Sequence, residues 1–248
     1  MGDGGDGTAA LVGATGGAGT TRLTVELGAL LAGDGRDVAV LDAAFATQGL
    51  SDYLSGRIDP DFTVLLTDDR DAPLSAGLIE FPLDDAAGRL ACCPAFAPFE
   101  RLARAKSPSA ARALESRVAE AAAAFDHVLV DTPPVAANQA VAAVNAVDRT
   151  VVVAPASSRG RDAVQRATDR LADIGTGADA VVTTRGELSV ADAAFPETDA
   201  DVTAAPTCLS DRSTAAGVAD VANVVFDVVP STGDGRGLLD SVGDFVSR

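Results

Sequence analysis

The segment Thr8–Ala32 contains a short apolar run, then clustered glycines, then an amphipathic helical pattern. This order predicts a strand, a loop and a helix. A loop of this kind directs several backbone N–H groups at an anion, and the start of the helix adds its partial positive charge. The segment therefore predicts an α/β fold in which the loop after the first strand has the shape of a phosphate-binding loop.

The loop departs from the full phosphate-binding motif G-x-x-x-x-G-K-[ST], in which Lys contacts the phosphates and Ser or Thr contacts Mg²⁺. Ala14 stands in the place of the first glycine, and Gly19 fits the second. Thr20 stands in the place of the lysine, and Thr21 fits the hydroxyl on the metal side. The sequence predicts a backbone cradle without its usual cation, formed by Gly16, Gly17, Ala18, Gly19, Thr20 and Thr21.

Two other predicted strands end in carboxylates. Val38–Leu41 is followed by Asp42, and Val128–Val130 by Asp131 and then a Thr-Pro-Pro turn. Carboxylate oxygens form the kind of hard oxygen site that suits Mg²⁺. For each carboxylate a structural alternative stays open: Asp42 as a cap at a strand end, and Asp131 as part of an ordinary strand exit.

These three segments resemble the Min/Par (MinD/ParA) superfamily of deviant P-loop ATPases, whose loop reads roughly K-G-G-x-G-K-T-T. At Thr15–Arg22 both lysines of that pattern are threonine, and the loop looks like those of TadZ/CpaE proteins of pilus assembly. The resemblance implies that Thr21, Asp42 and Asp131 hold Mg²⁺ if nucleotide binds. The family's D-x-D pattern after the second strand is Asp42-Ala43-Ala44 here, so the carboxylate that positions the attacking water is missing. The Asp-Thr-Pro-Pro sequence that begins at Asp131 also occurs in related bacterial tyrosine kinases, so it does not distinguish between these subfamilies.

The resemblance continues more weakly to the end of the chain. It implies a short switch helix, two strands and a last strand with a proline-containing adenine loop, at Gln48–Leu54, Arg149–Pro155, Ala178–Arg185 and Val202–Pro206. The family's Asn-Arg pair, in which Asn reads adenine, is Thr184-Arg185 here. The resemblance adds Arg185 and Pro206 to the candidate nucleotide contacts. It implies ATP or ADP with Mg²⁺ as the cofactor, and no cofactor at all stays the alternative.

The length of 248 residues fits one α/β domain spanning residues 1–248, with residues 1–7 as a flexible tip. We expect a three-layer fold, a mainly parallel twisted sheet flanked by helices. The predicted strands are Thr8–Val12, Val38–Leu41, Val128–Val130, Thr150–Val153 and Ala180–Thr183, and the clearest helices are Ala110–Ala124 and Gly160–Ile174. Neither a transmembrane run nor a signal peptide is indicated, so we expect a cytoplasmic protein.

The chain is strongly acidic, with a net charge of −17, 29 Asp against 7 Glu, and Lys106 as its single lysine. This composition resembles that of proteins from salt-accumulating halophiles, and the sequence suggests a halophilic archaeon. Such a surface repels nucleic acid and anionic membranes, so we expect neither as a direct partner. In molar salt, however, screening weakens this argument because the Debye length falls to ~3 Å.

The remaining polar residues indicate no other chemistry. The three cysteines lack metal or disulfide spacing, and His127 is the only histidine, which argues against a Ser-His-Asp hydrolase. Gly237–Arg248 has apolar residues near helical spacing, but its polar face carries aspartates rather than the basic residues of interfacial helices. We expect a packed closing helix there, and membrane contact is the less favoured alternative.

Three functions remain in view. The first is a catalytically weak or inactive MinD/ParA-like protein that works as a positioning or assembly scaffold or as a regulator. The second is an active Mg²⁺-dependent ATPase of the same type, in which Arg22 replaces the lost lysine. The third is a small-molecule transferase on a borrowed fold. For the first two we expect protein partners, including a homodimer that nucleotide does not control.

Overall fold

The computed structural model describes residues 7–231, and the predicted closing helix at Gly237–Arg248 lies outside this range. Its eight strands form one sheet in the order β3-β4-β2-β5-β1-β6-β7-β8. All neighbouring strands are parallel except β3 and β4. The strands are β1 (Thr8–Gly13), β2 (Val38–Asp42), β3 (Ile79–Glu80), β4 (Leu90–Cys93), β5 (His127–Thr132), β6 (Arg149–Pro155), β7 (Ala180–Thr184) and β8 (Ala193–Phe195).

Helices cover both faces of the sheet, which confirms the predicted three-layer α/β fold. One face packs against α1 and α7, and the other packs against α2, α4, α5 and α6. The helices are α1 (Thr20–Gly33), α2 (Phe62–Thr67), α3 (Phe99–Ala105), α4 (Pro108–Ala122), α5 (Asn138–Asn145), α6 (Ser158–Asp173) and α7 (Arg212–Phe226). No helix within residues 7–231 is long and apolar enough to cross a membrane.

The strand periodicity explains why the sheet is buried on both sides. In β1, Ala9 and Leu11 pack toward α1 and α7, and Ala10 and Val12 pack toward the opposite helices. All six β1 residues are buried. A strand covered on both faces reads as a continuous apolar run, and this is why the five central strands could be predicted from sequence.

Shorter elements were harder to predict. β3 and β8 have two and three residues, too few for a readable period. The expected last strand at Val202–Pro206 is wrong: residues Val202–Ala204 form a 3₁₀ turn, followed by a cis peptide bond between Ala205 and Pro206. The expected switch helix is present as a 3₁₀ helix at Gly49–Tyr53.

Aspartates support the beginnings of several strands. The Asp148 carboxylate accepts hydrogen bonds from the backbone N–H and hydroxyl of Thr8, and the Asp179 carboxylate accepts one from the N–H of Thr150. Asp192 does the same for the N–H of Val181. Part of the aspartate content therefore satisfies backbone donors at the amino edge of the sheet, besides contributing surface charge.

The strand order places the loop after β1 at a branch point of the topology. β1 lies between β5 and β6. On one side of β1 the sheet consists of β5, β2, β4 and β3, and on the other side it consists of β6, β7 and β8. In open parallel sheets, ligands bind at the carboxyl ends of the strands where the order diverges in this way. The fold therefore directs attention to the loop between β1 and α1.

The packing of α7 on β8 gives a stability prediction. A Cβ atom on Gly217 would lie 2.4 Å from Cδ of Pro196 and 3.3 Å from the backbone oxygen of Ala194. Alanine normally stabilises a helix interior by ~1 kcal/mol relative to glycine. Here we expect Gly217→Ala to lower the free energy of unfolding by ~1–3 kcal/mol, because the rigid proline ring must shift. Denaturant unfolding at fixed KCl measures this, and a gain in stability would contradict it.

Candidate functional site

The loop between β1 and α1 has the backbone form of an anion cradle. Gly17 and Gly19 have φ values of 72° and 84°, in the left-handed region that glycine tolerates. The N–H of Ala14 bonds to the Val153 oxygen and anchors the loop to β6. Within residues 7–231, the N–H groups of residues 15–22 have no hydrogen-bond acceptor in the protein, and α1 begins without a side-chain cap. These donors are available to an anion.

The cradle forms one wall of a cavity of about 440 Å³, within the size range of small-molecule sites. Its other walls come from the segment after β2, the end of β5, the end of β7 and the segment after β8. The lining comprises Gly13, residues 15–22, Ala44, Thr47, Gly49, Tyr53, residues 131–134, Thr184, Arg185, residues 195–198, Ala200 and Val202. All six predicted cradle residues lie on this wall.

Asp131 and Thr21 meet at the floor of the cavity. The Thr21 hydroxyl donates a hydrogen bond of 2.6 Å to Oδ2 of Asp131, whose side chain is almost fully buried. Burial raises the pKa of Asp131, and the hydrogen bond from Thr21 opposes this rise. A hydroxyl and a carboxylate in contact beside unpaired backbone N–H groups are oxygen ligands that suit Mg²⁺.

Asp42 lies next to Asp131 in the β2–β5 pairing but has a different environment. It is fully buried and does not line the cavity. Its Oδ1 accepts the N–H of Ala44 at 2.8 Å, and its Oδ2 accepts the N–H of Ala95 at 3.2 Å. Burial and then the Asp131 carboxylate raise the pKa of Asp42, against the effect of these N–H groups. This geometry fits the strand-end capping alternative, and its metal role stays a prediction.

Arg22 does not replace the missing lysine in this structure. Its Nε donates to Glu26 at 2.7 Å, and its two terminal nitrogens donate to the Ala200 and Asp201 oxygens and to the Thr207 hydroxyl, at 3.2–3.3 Å. None of these partners belongs to the cradle. The guanidinium instead joins α1 to the segment that forms the far wall of the cavity.

Glu26 is the centre of this connection. Its side chain is fully buried and accepts hydrogen bonds from the Arg22 guanidinium, the Thr207 N–H and hydroxyl, and the Cys208 N–H. Burial alone would raise the pKa of Glu26, but these donors together hold it below its usual value. The carboxylate therefore stays charged inside the protein and keeps Arg22 in place.

The structure separates the two nucleotide contacts implied near the end of the chain. Arg185 lies on the cavity wall, directly after Thr184, whose hydroxyl donates 2.7 Å to the Ala18 oxygen. Pro206 does not line the cavity, and its role as a nucleotide contact stays a prediction; its cis bond leads into the Thr207–Cys208 pair that binds Glu26. Sequence reasoning missed Glu197, an exposed carboxylate on the wall, because nothing in its local pattern distinguishes it from surface acid.

Comparisons with solved structures support the fold of this chain. Neither protein-family models nor curated protein sequences match the chain. Among solved structures, a chain of the MinC:MinD cell division protein complex of Aquifex aeolicus is similar with a TM-score of 0.72 and 21% identity, over 89% of this chain and 96% of that chain. The chain has the fold of the MinD and ParA ATPases.

Two further similar structures contain ADP and magnesium. The septum site-determining protein MinD of Pyrococcus horikoshii OT3, complexed with Mg-ADP, gives a TM-score of 0.64 at 19% identity, over 77% of this chain and 81% of that one. Cobyrinic acid a,c-diamide synthase of Mycobacterium smegmatis gives 0.63 at 19% identity, over 90% and 97%. At these identities the likeness shows the fold, which serves both ATPases and a synthase.

The buried ion pair yields a prediction with a matched control. Glu26→Ala leaves the Arg22 guanidinium and two N–H groups without their acceptor, and we expect a loss of ~3–5 kcal/mol in the free energy of unfolding. Glu115→Ala makes the same charge change at an exposed position in the middle of α4 and should stay within ~0.5 kcal/mol of the parent. Denaturant unfolding at one KCl concentration compares them, and equal stabilities would contradict the role of Glu26.

Proposed function

We propose that this chain is a degenerate MinD/ParA-like protein that hydrolyses ATP weakly or not at all and acts as a positioning or assembly scaffold or regulator. One observation supports this most directly: the cavity keeps the backbone cradle and the Thr21–Asp131 contact, while Thr15 and Thr20 stand where the resemblance places lysines. The protein would bind ATP or ADP with Mg²⁺ through the groups that hold phosphate. It would lack the groups that accelerate ATP hydrolysis.

The residues present fit a magnesium nucleotide as a ligand. Gly16 and Gly17 have no atom within 4 Å of an added Cβ, so the loop faces open space into which a phosphate can come close to the backbone. Thr21 and Asp131 would hold the metal through oxygen atoms. When bound, Mg²⁺ would neutralise phosphate charge, and the N–H groups of residues 16–21 would orient the phosphates.

The same residues give little support for catalysis. Ala44 lies on the wall where the resemblance places the water-positioning carboxylate, and a methyl group cannot orient water. Arg22 is committed to Glu26. Loss of one preorganised electrostatic group typically lowers a rate by ~10²–10³, and here the lysines of the loop and the carboxylate at position 44 are all missing. The alternative is an active Mg²⁺-dependent ATPase that acts as a spatial switch.

Several properties of the proposal rest on composition. A net charge of −17 fits a protein of a salt-rich cytoplasm, with protein partners rather than nucleic acid or membrane. A scaffold role of this kind would require nucleotide binding but no ATP hydrolysis.

The decisive test is a titration of the full chain with ATP and with ADP, with and without Mg²⁺, in high KCl, followed by steady-state hydrolysis. We expect measurable binding that Mg²⁺ strengthens, and hydrolysis close to the rate without protein. Hydrolysis well above this background that disappears in Asp131→Ala would establish the active ATPase instead. Absence of binding to either nucleotide would refute the proposal.

Gly17 and Gly56 form a matched pair for testing where the anion binds. Both have positive φ, 72° and 97°, and neither has an atom within 4 Å of an added Cβ, but only Gly17 lines the cavity. Valine should cost similar backbone strain at either position. We expect Gly17→Val to abolish nucleotide binding and Gly56→Val to preserve it. Equal binding by both variants would mean that the nucleotide site is elsewhere.

The missing lysine also predicts how copies of this chain associate. In the family that the chain resembles, the signature lysine reaches across a dimer to the partner's phosphate, and Thr15 is too short for this. Any dimer should therefore form through an isologous contact independent of ATP and increase with KCl, because salt screens the repulsion between acidic copies. Light scattering over a KCl series, with and without ATP, measures this; a dimer that requires ATP would show that nucleotide is the switch.

A further inference from the structure

Two cationic side chains, Arg22 and Arg185, lie on the described wall of the cavity. Arg22 is held by Glu26 and by the segment near residues 200–207. The Arg185 side chain is exposed and has no hydrogen bond or ion pair with any residue in the 7–231 range. Of these two, Arg185 is therefore the one whose guanidinium is available to a ligand.

Arg185 is placed beside the cradle by Thr184. The Thr184 hydroxyl donates 2.7 Å to the backbone oxygen of Ala18, and a Cβ on Gly19 would lie 3.3 Å from Cγ2 of Thr184. The end of β7 thus contacts the loop at the two residues that directly precede α1. Because consecutive Cα atoms are ~3.8 Å apart, the long Arg185 side chain starts within reach of whatever the loop binds.

The backbone at Arg185 is held in an unfavourable conformation. Its φ is 59°, and that of Gly186 is 122°. The Thr183 hydroxyl bonds to the Gly186 oxygen at 2.9 Å, and the Ala156 N–H bonds to the Thr184 oxygen at 2.8 Å, so both sides of the turn are fixed. Glycine or asparagine would adopt this φ more easily than arginine. Strain of this kind is common where a side chain has a role in binding.

We propose that Arg185 supplies, from the end of β7, the positive charge on the ligand's phosphate groups that Thr15 and Thr20 cannot provide. This rests on the proposed nucleotide binding and deepens it. A guanidinium offers a planar set of donors that binds two phosphate oxygens at once. The proposed phosphate contact differs from a contact to the base. A base contact is the role that the position of Arg185 would suggest, because Arg185 directly follows Thr184, where the family has its adenine-reading Asn. The loop supplies backbone donors and the neighbouring strand supplies the charge.

Tripolyphosphate separates the two roles because it carries the phosphates without base or ribose. The full chain, Arg185→Ala and Arg185→Gly are titrated with ATP and with tripolyphosphate in the presence of Mg²⁺ at one KCl concentration. Arg185→Gly introduces a residue that tolerates the observed φ, so this variant should fold even if the alanine variant does not. Arg166→Ala, at an exposed position in α6, makes the same charge change away from the cavity.

We expect both Arg185 variants to lose ~10- to 100-fold in affinity for ATP and for tripolyphosphate alike, and Arg166→Ala to bind like the parent. A loss for ATP with unchanged tripolyphosphate binding would place Arg185 on the base or ribose and overturn the inference. Unchanged binding of both ligands would also overturn it, while leaving the proposed function intact. If the parent chain binds neither ligand, the proposed function itself fails.

Discussion

Glu26 is a fully buried carboxylate in the middle of α1, and it stays charged only because donors surround it. Those donors come from Arg22, one turn earlier on the same helix, and from Thr207 and Cys208, about 180 positions later in the chain. An isolated charge at this depth would be very costly, so the segment near residue 207 cannot leave α1 without a large penalty. The far wall of the cavity is therefore attached to the helix that begins at the cradle.

This attachment decides what Arg22 can do. If the Arg22 guanidinium left Glu26 to reach a phosphate, the buried Glu26 carboxylate would lose its positively charged partner. The arginine nearest to the cradle in sequence is thus unavailable as a phosphate cation, although its position beside the loop suggests that role. In the proposed nucleotide complex, the ligand charge would be met by backbone N–H groups, by Mg²⁺ and by a side chain from another strand. Arg185 is the described wall residue that satisfies this condition.

In the proposed function, the cavity binds a nucleotide and lacks the groups that would hydrolyse it. Backbone N–H groups and the Thr21–Asp131 contact act on ground-state charge, so they support binding. Acceleration needs groups that act more strongly in the transition state than before it. Ala44 and Thr20 supply no such group, which is why we propose a role that needs nucleotide binding but no hydrolysis.

The sequence by itself determined the central architecture of this protein. The five predicted strands are present, because strands buried on both faces leave continuous apolar runs that can be read locally. The glycine loop and the position of Asp131 followed from the same local signals, since each depends on neighbours a few residues away. The tertiary structure alone decided which charges are free: Glu26 binds a segment distant in the chain, and Asp42 accepts the N–H of Ala95 across the sheet. No local pattern records such contacts, because hydrogen bonds between distant segments depend on how the whole chain folds.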